Sequence, residues 1–462
     1  MTVRMYRSAD RGAMVLTGQN GKLIDLLKQC LVVGYPTQTP TSITRSGAVA
    51  TVSKTAHGFT TGQVVTVNGA AEVEYNGNFV VTVTTADAFT YAVTGTPATP
   101  ATGTITIAGE VKVGTVTLAR SGSTVTASLT AHGFSVGQRA RIDGAVQADY
   151  NDIWTVATVP DANSFTFTLP AGLTPTTPAT GTISVYYGQA GAGWTQPYTG
   201  SNLAAFRNSS TGGTGSYLKV QDDHASTNAR AANLVGYVTM SAISTGTDQF
   251  PEVVTYMGVW KSLTADATAR PWVVLADEYR FVLLIQNGEN STDWIPIFFG
   301  DIYSYVPSDA YRALLMAAYS TSGVAGQSYT LNLFAISDVI STTRTAKKMP
   351  RTYTGAGSQI NVGTHSDNMK ISATPSTAVY VGSAGMTYPL PHNGGLIMAP
   401  IWVHEASLVR GYLPGVWAPM HNRPLANNDV FSGAGTMAGK RFEAFNVYSG
   451  GQLLIETSDT WS

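Results

Sequence analysis

The chain has 462 residues, of which 44 % are hydrophobic and only 12 % are Asp, Glu, Lys or Arg, with a formal net charge of −1. That length accommodates two to four domains at roughly 100 to 200 residues each, and the charged fraction is far below the roughly 25 % of typical soluble domains. A near-neutral chain without a run of Lys and Arg makes no case for nucleic-acid binding, and no apolar run approaches the ~20 residues of a membrane-spanning helix. Gly, Thr, Ser, Ala and Val fill the space that charges leave, a composition suited to extended β structure and to surfaces covered by neighbours.

In chain order, Met1–Arg7 lacks the apolar core of a signal peptide, so synthesis in a cytoplasm without a leader is expected. From Asn20 to Leu31 the apolar residues fall on one face of a 3.6-residue period, which predicts one short helix with Asn20 as its N-cap and an end before Gly34. The single cysteine, Cys30, lies in that pattern. It rules out an intramolecular disulfide framework and is read as a buried structural thiol.

Residues 42–187 hold one paragraph of sequence written twice. Arg45-Ser46-Gly47, Thr55-Ala56-His57-Gly58-Phe59, Gly62-Gln63, Gly69-Ala70, Tyr75-Asn76 and Pro100–Ile105 recur as Arg120-Ser121-Gly122, Thr130-Ala131-His132-Gly133-Phe134, Gly137-Gln138, Gly144-Ala145, Tyr150-Asn151 and Pro178–Ile183. The offset is about 75 residues and drifts to about 78, as length changes in surface loops produce. Alternation in 63–67, 78–84, 153–159 and 164–169, punctuated by Asn68-Gly69, Asn76-Gly77 and Asp143-Gly144, predicts short strands and hairpins. Each copy reads as a small sandwich or partly closed barrel. His57 and His132 read as turn residues whose rings bond backbone beside a positive-φ glycine. Nothing repeats with them at metal-ligand spacing.

From Gly188 onward aromatic residues and turns become dense, and 281–285 and 295–303 are nearly continuous apolar runs expected to be buried strands. Residues 309–317 fit strand or helix, and 351–376 read as an exposed polar excursion. The Gly-rich stretch 211–216 precedes a strand and lacks a phosphate-binding Lys, so a flexible hairpin loop is expected. Nucleophile elbows, zinc-protease helices, Walker loops and dinucleotide fingerprints are missing from the sequence. Asp222-Asp223 and Asp277-Glu278 leave room for the two-carboxylate arrangement of glycosidases. Trp194, Trp272, Trp402 and Trp417 stand beside Pro or apolar runs, where packing is the commoner role. No catalytic residue, cofactor site or metal ligand is assigned.

A set of ordered landmarks outside the repeats resembles a family of virion structural proteins of tailed bacteriophages. They are Ser8–Ala13, Cys30–Tyr35, Gly193–Gly200, Thr264–Trp272, Phe299–Tyr303, Arg410–Pro419 and Ile455–Trp461. The repeats separately resemble small β modules inserted in phage structural proteins. In the family pattern the Gly-Tyr after the helix runs almost directly into the Gly-Trp-Thr-x-Pro-Tyr segment; here about 150 residues intervene. The expected organisation is therefore a discontinuous body, 1–36 and 188–462, carrying module 42–110 and module 111–187. The fold expected is mainly β, a β-sandwich-like body with one short N-terminal helix and two inserted small β-barrel or sandwich modules.

The resemblance implies a non-enzymatic virion component of the tail or tail-attached apparatus. It would act as a symmetric homo-oligomer through contacts with its own copies and with neighbouring virion proteins. A head-exterior decoration protein is the first alternative, and a host-glycan-binding or glycan-cleaving adhesin the second. Nucleic acid and membrane insertion are not expected.

Overall fold

Apolar residues at alternate positions, bounded by glycine turns, form short antiparallel strands along the whole chain, and the fold is mainly β with one N-terminal helix. The computed structural model describes residues 2–170, 172–223, 231–251, 256–288, 293–320, 347–364, 388–390, 394–405, 408–421, 424–447 and 451–461. The chain divides into two compact units. The larger comprises Met1–Met5, Val15–Lys28 and Trp194–Ser462, and the smaller Tyr6–Met14 and Gln29–Gly193.

The smaller unit holds both repeats, each built as two four-stranded sheets. In the first, one sheet runs Thr37–Gln38, Gly103–Gly109, Val64–Ala70, Gly77–Val80, and the other Ser42–Ser46, Val49–Ser53, Ala88–Ala92, Thr82–Thr85. In the second the equivalents are Val111–Thr115, Gly181–Tyr187, Arg139–Ala145, Asp152–Thr155 and Thr117–Ser121, Thr124–Ser128, Ser164–Thr168, Thr158–Asp161. Alternation turns Val125, Ala127, Phe165 and Phe167 of one sheet toward Ala140, Ile142, Trp154 and Val185 of the other, in one shared core. Each fully buried Phe contributes about 1.5 to 3 kcal/mol, so a module this small keeps a thin but sufficient core.

Turns in such short sheets leave many backbone groups without a ladder partner, and side chains repeated in both copies supply one. Asn76 and Asn151 clamp Ala70 and Ala145, accepting from the backbone N–H at 2.9 and 2.8 Å and donating to the carbonyl at 2.7 Å in each. Arg45 and Arg120 donate to the carbonyls of Pro97 and Pro175, and of Gly47 and Gly122. Gln63 and Gln138 accept from the backbone of Thr60 and Ser135, and Glu72 and Gln147 from that of Thr102 and Thr180. Gly69 and Gly144 lie at φ +89 and +92, and a Cβ on either would strike the carbonyl of Thr104 or Thr182 across the bulge.

In the larger unit, strands Thr195–Gly200, Leu203–Arg207, Tyr217–Gln221, Ala231–Tyr237, Tyr256–Trp260 and Ala318–Ser320 form one antiparallel sheet. A second contains Trp272–Ala276, Arg280–Ile285, Ile295–Asp301, Ala313–Met316, Lys347–Met349 and Ile360–Asn361 in that order. A third runs Gly363–Thr364, Met398–Glu405, Leu408–Pro419, Gly451–Glu456, Arg441–Val447, Val430–Ser432. The apolar run at 281–285 is buried on both faces, as its continuity predicts; of the run 295–303, residues 295–302 are buried and Tyr303 is exposed. The stretch 309–317 resolves as strand Ala313–Met316. Of the polar stretch 351–376, residues 365–376 lie outside the described residues, and the rest mixes exposed positions with the wholly buried Val362.

The helical segment ends before Gly34 as expected, but its start and the winding of its second half differ from expectation. It is α-helical only over Lys22–Leu27, then widens into a π-helical turn over Lys28–Val33. Asn20 does not cap it. The residue before the helix is Gly21 at φ +79, and the acceptor for the Leu23 N–H is Asp222 Oδ2 at 2.8 Å, a carboxylate from the sheet. A distant side chain has replaced the local cap, which no local pattern could indicate.

Asn151→Ala leaves both backbone groups of Ala145 without their partner. It is expected to destabilise the second module by about 1 to 3 kcal/mol, with Asn76→Ala giving a matching loss in the first. Urea denaturation of the full chain, followed by hydrogen exchange in each module, reads both; losses below about 0.5 kcal/mol would remove the clamp from the account of the fold.

Candidate interaction surfaces

His57 and His132 are buried at the turn between sheets. Nδ1 of each accepts the N–H of the Phe two residues on, at 2.9 and 3.0 Å, which leaves the proton on Nε2 to face the carbonyls of Thr85 and Asp161. Each ring stacks on that Phe. Both rings are held by backbone groups and a Phe, and no group of three or more His, Cys, Asp or Glu that could hold a metal ion occurs among the described residues. The Arg, His, Gln and Asn side chains shared by the two copies are thus engaged with their own backbone. The exposed residues they also share, such as Ser46 and Ser121 or Thr104 and Thr182, carry neither charge nor ring.

Among the many positions at which the copies differ, two lie on the outward side of one strand and gain a charge. Strand Arg139–Ala145 turns Ala140 and Ile142 inward and Arg139 and Arg141 outward; the first copy has Val64 and Thr66 at the same positions. Arg139 grips Asp10 of the segment Tyr6–Met14 with two parallel bonds, Nε to Oδ1 at 2.8 Å and Nη2 to Oδ2 at 2.5 Å. Asp10 Oδ2 also accepts from the Tyr35 hydroxyl at 2.6 Å and the Arg7 N–H at 3.0 Å. Burial, reinforced by the Asp10 charge, pushes the Tyr35 phenol well above its ordinary value and keeps it a donor.

Next along the segment, Arg11 lies 4.3 Å over the Tyr187 ring and donates to the His132 carbonyl. Arg141 stacks 4.2 Å over Tyr186 and pairs with Glu110 at 2.5 Å and Asp143 at 3.1 Å. These residues line a small open cleft together with Ile153, Gly188 and Gln189. In the first copy the equivalent face is covered differently: Thr66 accepts the Gly191 N–H at 2.8 Å, and Asn78 donates to the Gly191 carbonyl. Each module therefore uses one outer face to hold a passing segment of chain.

The second surface belongs to the larger unit. Arg410 is completely buried, with all five of its N–H groups accepted: by Asp309 through two bonds, by Glu405, and by the carbonyls of Arg351 and Tyr311. Asp309 in turn accepts from Ser304 Oγ and the Tyr311 N–H, and the Arg410 carbonyl accepts the Tyr305 N–H at 2.8 Å. A buried ion pair with its hydrogen bonds complete makes a stiff anchor. It presents Tyr303 and Tyr305, 53 % and 54 % exposed, beside Tyr412. The Tyr303 and Tyr412 rings stack at 4.9 Å between centroids, with Tyr305 6.0 Å from each. Leu408 and Val409, on the strand that carries Tyr412, are also exposed.

Three of the four carboxylates singled out from sequence, Asp222, Asp223 and Asp277, have internal partners. Asp222 meets Lys261, Asp223 accepts from Gln221, and Asp277 accepts the N–H groups of Tyr279 and Arg280. Trp194, Trp272 and Trp417 are buried, and Trp402 is half-buried. The Gly-rich stretch is fastened where a flexible loop was expected. Asp301 accepts from the Thr214 N–H and hydroxyl at 2.8 and 2.6 Å, Tyr279 donates to the Thr211 carbonyl, and Arg312 to that of Gly212. Sequence reading missed Asp10, Arg139, Arg141, Asp309 and Arg410. The Val-to-Arg and Thr-to-Arg changes between the repeats were the signal that could have found Arg139 and Arg141.

No protein-family model matches the chain, and no curated protein matches it. Among solved structures it is similar to one described as Phage phi92 endosialidase, with 11 % identity over 93 % of this chain and 88 % of that chain and a TM-score of 0.16. A superposition at that level carries no argument about fold or function.

Arg139→Val, which gives the second module the residue of the first, removes two charge-assisted bonds of about 1.5 to 3 kcal/mol each. Tryptic cleavage after Arg7 and Arg11 is expected to quicken by about tenfold or more, while the first module keeps its hydrogen-exchange protection. An unchanged cleavage rate would show that Arg139 does not hold the segment.

Proposed function

We propose that this chain is a non-enzymatic structural component of a tailed-bacteriophage virion, in the tail or tail-attached apparatus, working as a symmetric homo-oligomer. The ordered landmarks outside the repeats motivate the virion assignment. The stiffly anchored tyrosine cluster carries the assembly reading. Tyrosine offers a large, amphipathic contact surface at low conformational cost, and such residues dominate the centres of protein interfaces. Tyr303, Tyr305 and Tyr412 are the surface we assign to contact with neighbouring copies or virion proteins. The low charge of the chain suits multi-subunit contact, where interface centres are depleted of charge.

On this reading the mechanism is mechanical. The repeats serve as spacers: the residues they share are engaged in folding, so two copies supply length and stiffness without two copies of a ligand site. The engaged carboxylates and the buried tryptophans likewise favour a structural role over the glycan-cleaving alternative, which needs carboxylates and rings free in one cleft.

Immunogold electron microscopy of intact virions, with antibody raised against residues 42–187, tests location and exposure together. Label confined to the tail or its collar is expected. Label over the head would replace the tail assignment with decoration. Absence of label from particles that contain the protein by mass spectrometry would overturn the exposed-spacer role.

A further inference from the structure

Sheet order brings Asp222 and Lys261 together. Strands Tyr217–Gln221 and Tyr256–Trp260 both run antiparallel to the strand between them, Ala231–Tyr237, so the two end at the same edge of the sheet. Asp222 and Lys261 are the residues that follow them. Both side chains are wholly inaccessible to solvent, and Lys261 Nζ is in contact with Asp222 Oδ1. Two backbone groups complete the site. The Leu23 N–H donates to Asp222 Oδ2 at 2.8 Å, and Lys261 Nζ donates to the Gln19 carbonyl at 2.5 Å.

The hydrogen-bonding capacity of the site fits an amide better than an ion pair. An ammonium has three N–H donors, and a carboxylate has about four acceptor positions. Beyond the pair itself, the described residues offer one acceptor, Gln19 O, and one donor, Leu23 N–H. An amide joining Nζ to Cγ has one N–H and one C=O, which match those two groups one for one. It also removes two charges from a buried site, where desolvation opposes the attraction between them. Burial, only partly offset by Lys261, raises the Asp222 carboxyl to about 6, and burial likewise lowers the Lys261 amine despite the attraction of Asp222. Both effects favour the uncharged acid and amine from which an amide can form. Asp223, Lys22 and Asp25 are the further charged groups whose fields reach the two side chains.

We propose that Asp222 and Lys261 are a modification site, joined by an intramolecular isopeptide bond. A proton passes from the Lys261 ammonium to the Asp222 carboxylate, and the neutral Nζ attacks Cγ. The bond from Cγ to Oδ1 then breaks, and that hydroxyl leaves with one amine proton as water. Nζ keeps one proton, directed at Gln19 O, and Oδ2 remains as the amide oxygen facing Leu23 N–H. No further reactant enters the balance. The product ties together the ends of the two strands flanking Ala231–Tyr237 and closes a chain separation of 39 residues. This inference concerns the chain's own chemistry and stands apart from the virion assignment.

Intact-mass spectrometry of the purified, denatured full-length chain tests it. The expected mass is about 18 Da below the sequence mass, one water lost per bond formed, with the peptide carrying Asp222 recovered covalently joined to the one carrying Lys261. Lys261→Arg and Lys261→Met are expected at their full sequence masses whether or not they fold. A wild-type chain at its full sequence mass after a week in native buffer would overturn the proposal. So would a loss of 18 Da that maps to a succinimide at another aspartate.

Discussion

Short sheets joined by many turns create one dominant constraint: the backbone groups that no strand pairs must still find partners. An N–H or carbonyl left buried without one costs as much as a lost hydrogen bond. In both repeats the same side chains meet that demand: Arg45 and Arg120, His57 and His132, Gln63 and Gln138, Asn76 and Asn151. Identity between the copies therefore marks what the fold requires. The copies differ at many positions, and where Val64 and Thr66 give way to Arg139 and Arg141 the change brings the contacts with Asp10, Glu110 and Asp143.

Charges follow the same economy of placement. Ionisable side chains are few, yet Asp222, Lys261, Asp301, Asp309 and Arg410 are buried. Each anchors a segment that the hydrophobic core does not hold by itself: the helix start, the Gly-rich loop, the loop that presents Tyr303 and Tyr305. Buried charges persist only when fully hydrogen-bonded, and Arg410, with five donors accepted, meets that condition. Exposed tyrosines resting on such an anchor are held in place, and under the proposed assembly role that would reduce the entropy lost on association.

The sequence made local features legible and concealed distant ones. Period-two alternation gave the repeat strands, continuous apolar runs gave the buried strands at 281–285 and 295–299, and the His-Gly turns bond backbone as their residue types suggest. The helix start was misread because its acceptor comes from Asp222, 199 positions from Leu23. The Gly-rich loop is the expected hairpin connection, but its fastening was illegible for the same reason, since Asp301 lies 87 positions from Thr214. Arg139 and Asp10 are 129 positions apart. Composition and period carry no information about such pairings; only the contrast between repeats hinted at the last.

We infer that side chains fix the turns of both modules as firmly as ladders fix their strands. Residue-resolved hydrogen exchange of the native chain tests this at the amides of Ala56, Phe59, Ala70 and Thr102 and at their counterparts Ala131, Phe134, Ala145 and Thr180. All eight bond a side chain. Matched, strand-like protection in the two copies is the expected result. Rapid exchange at these turns, with protection confined to the sheets, would contradict it.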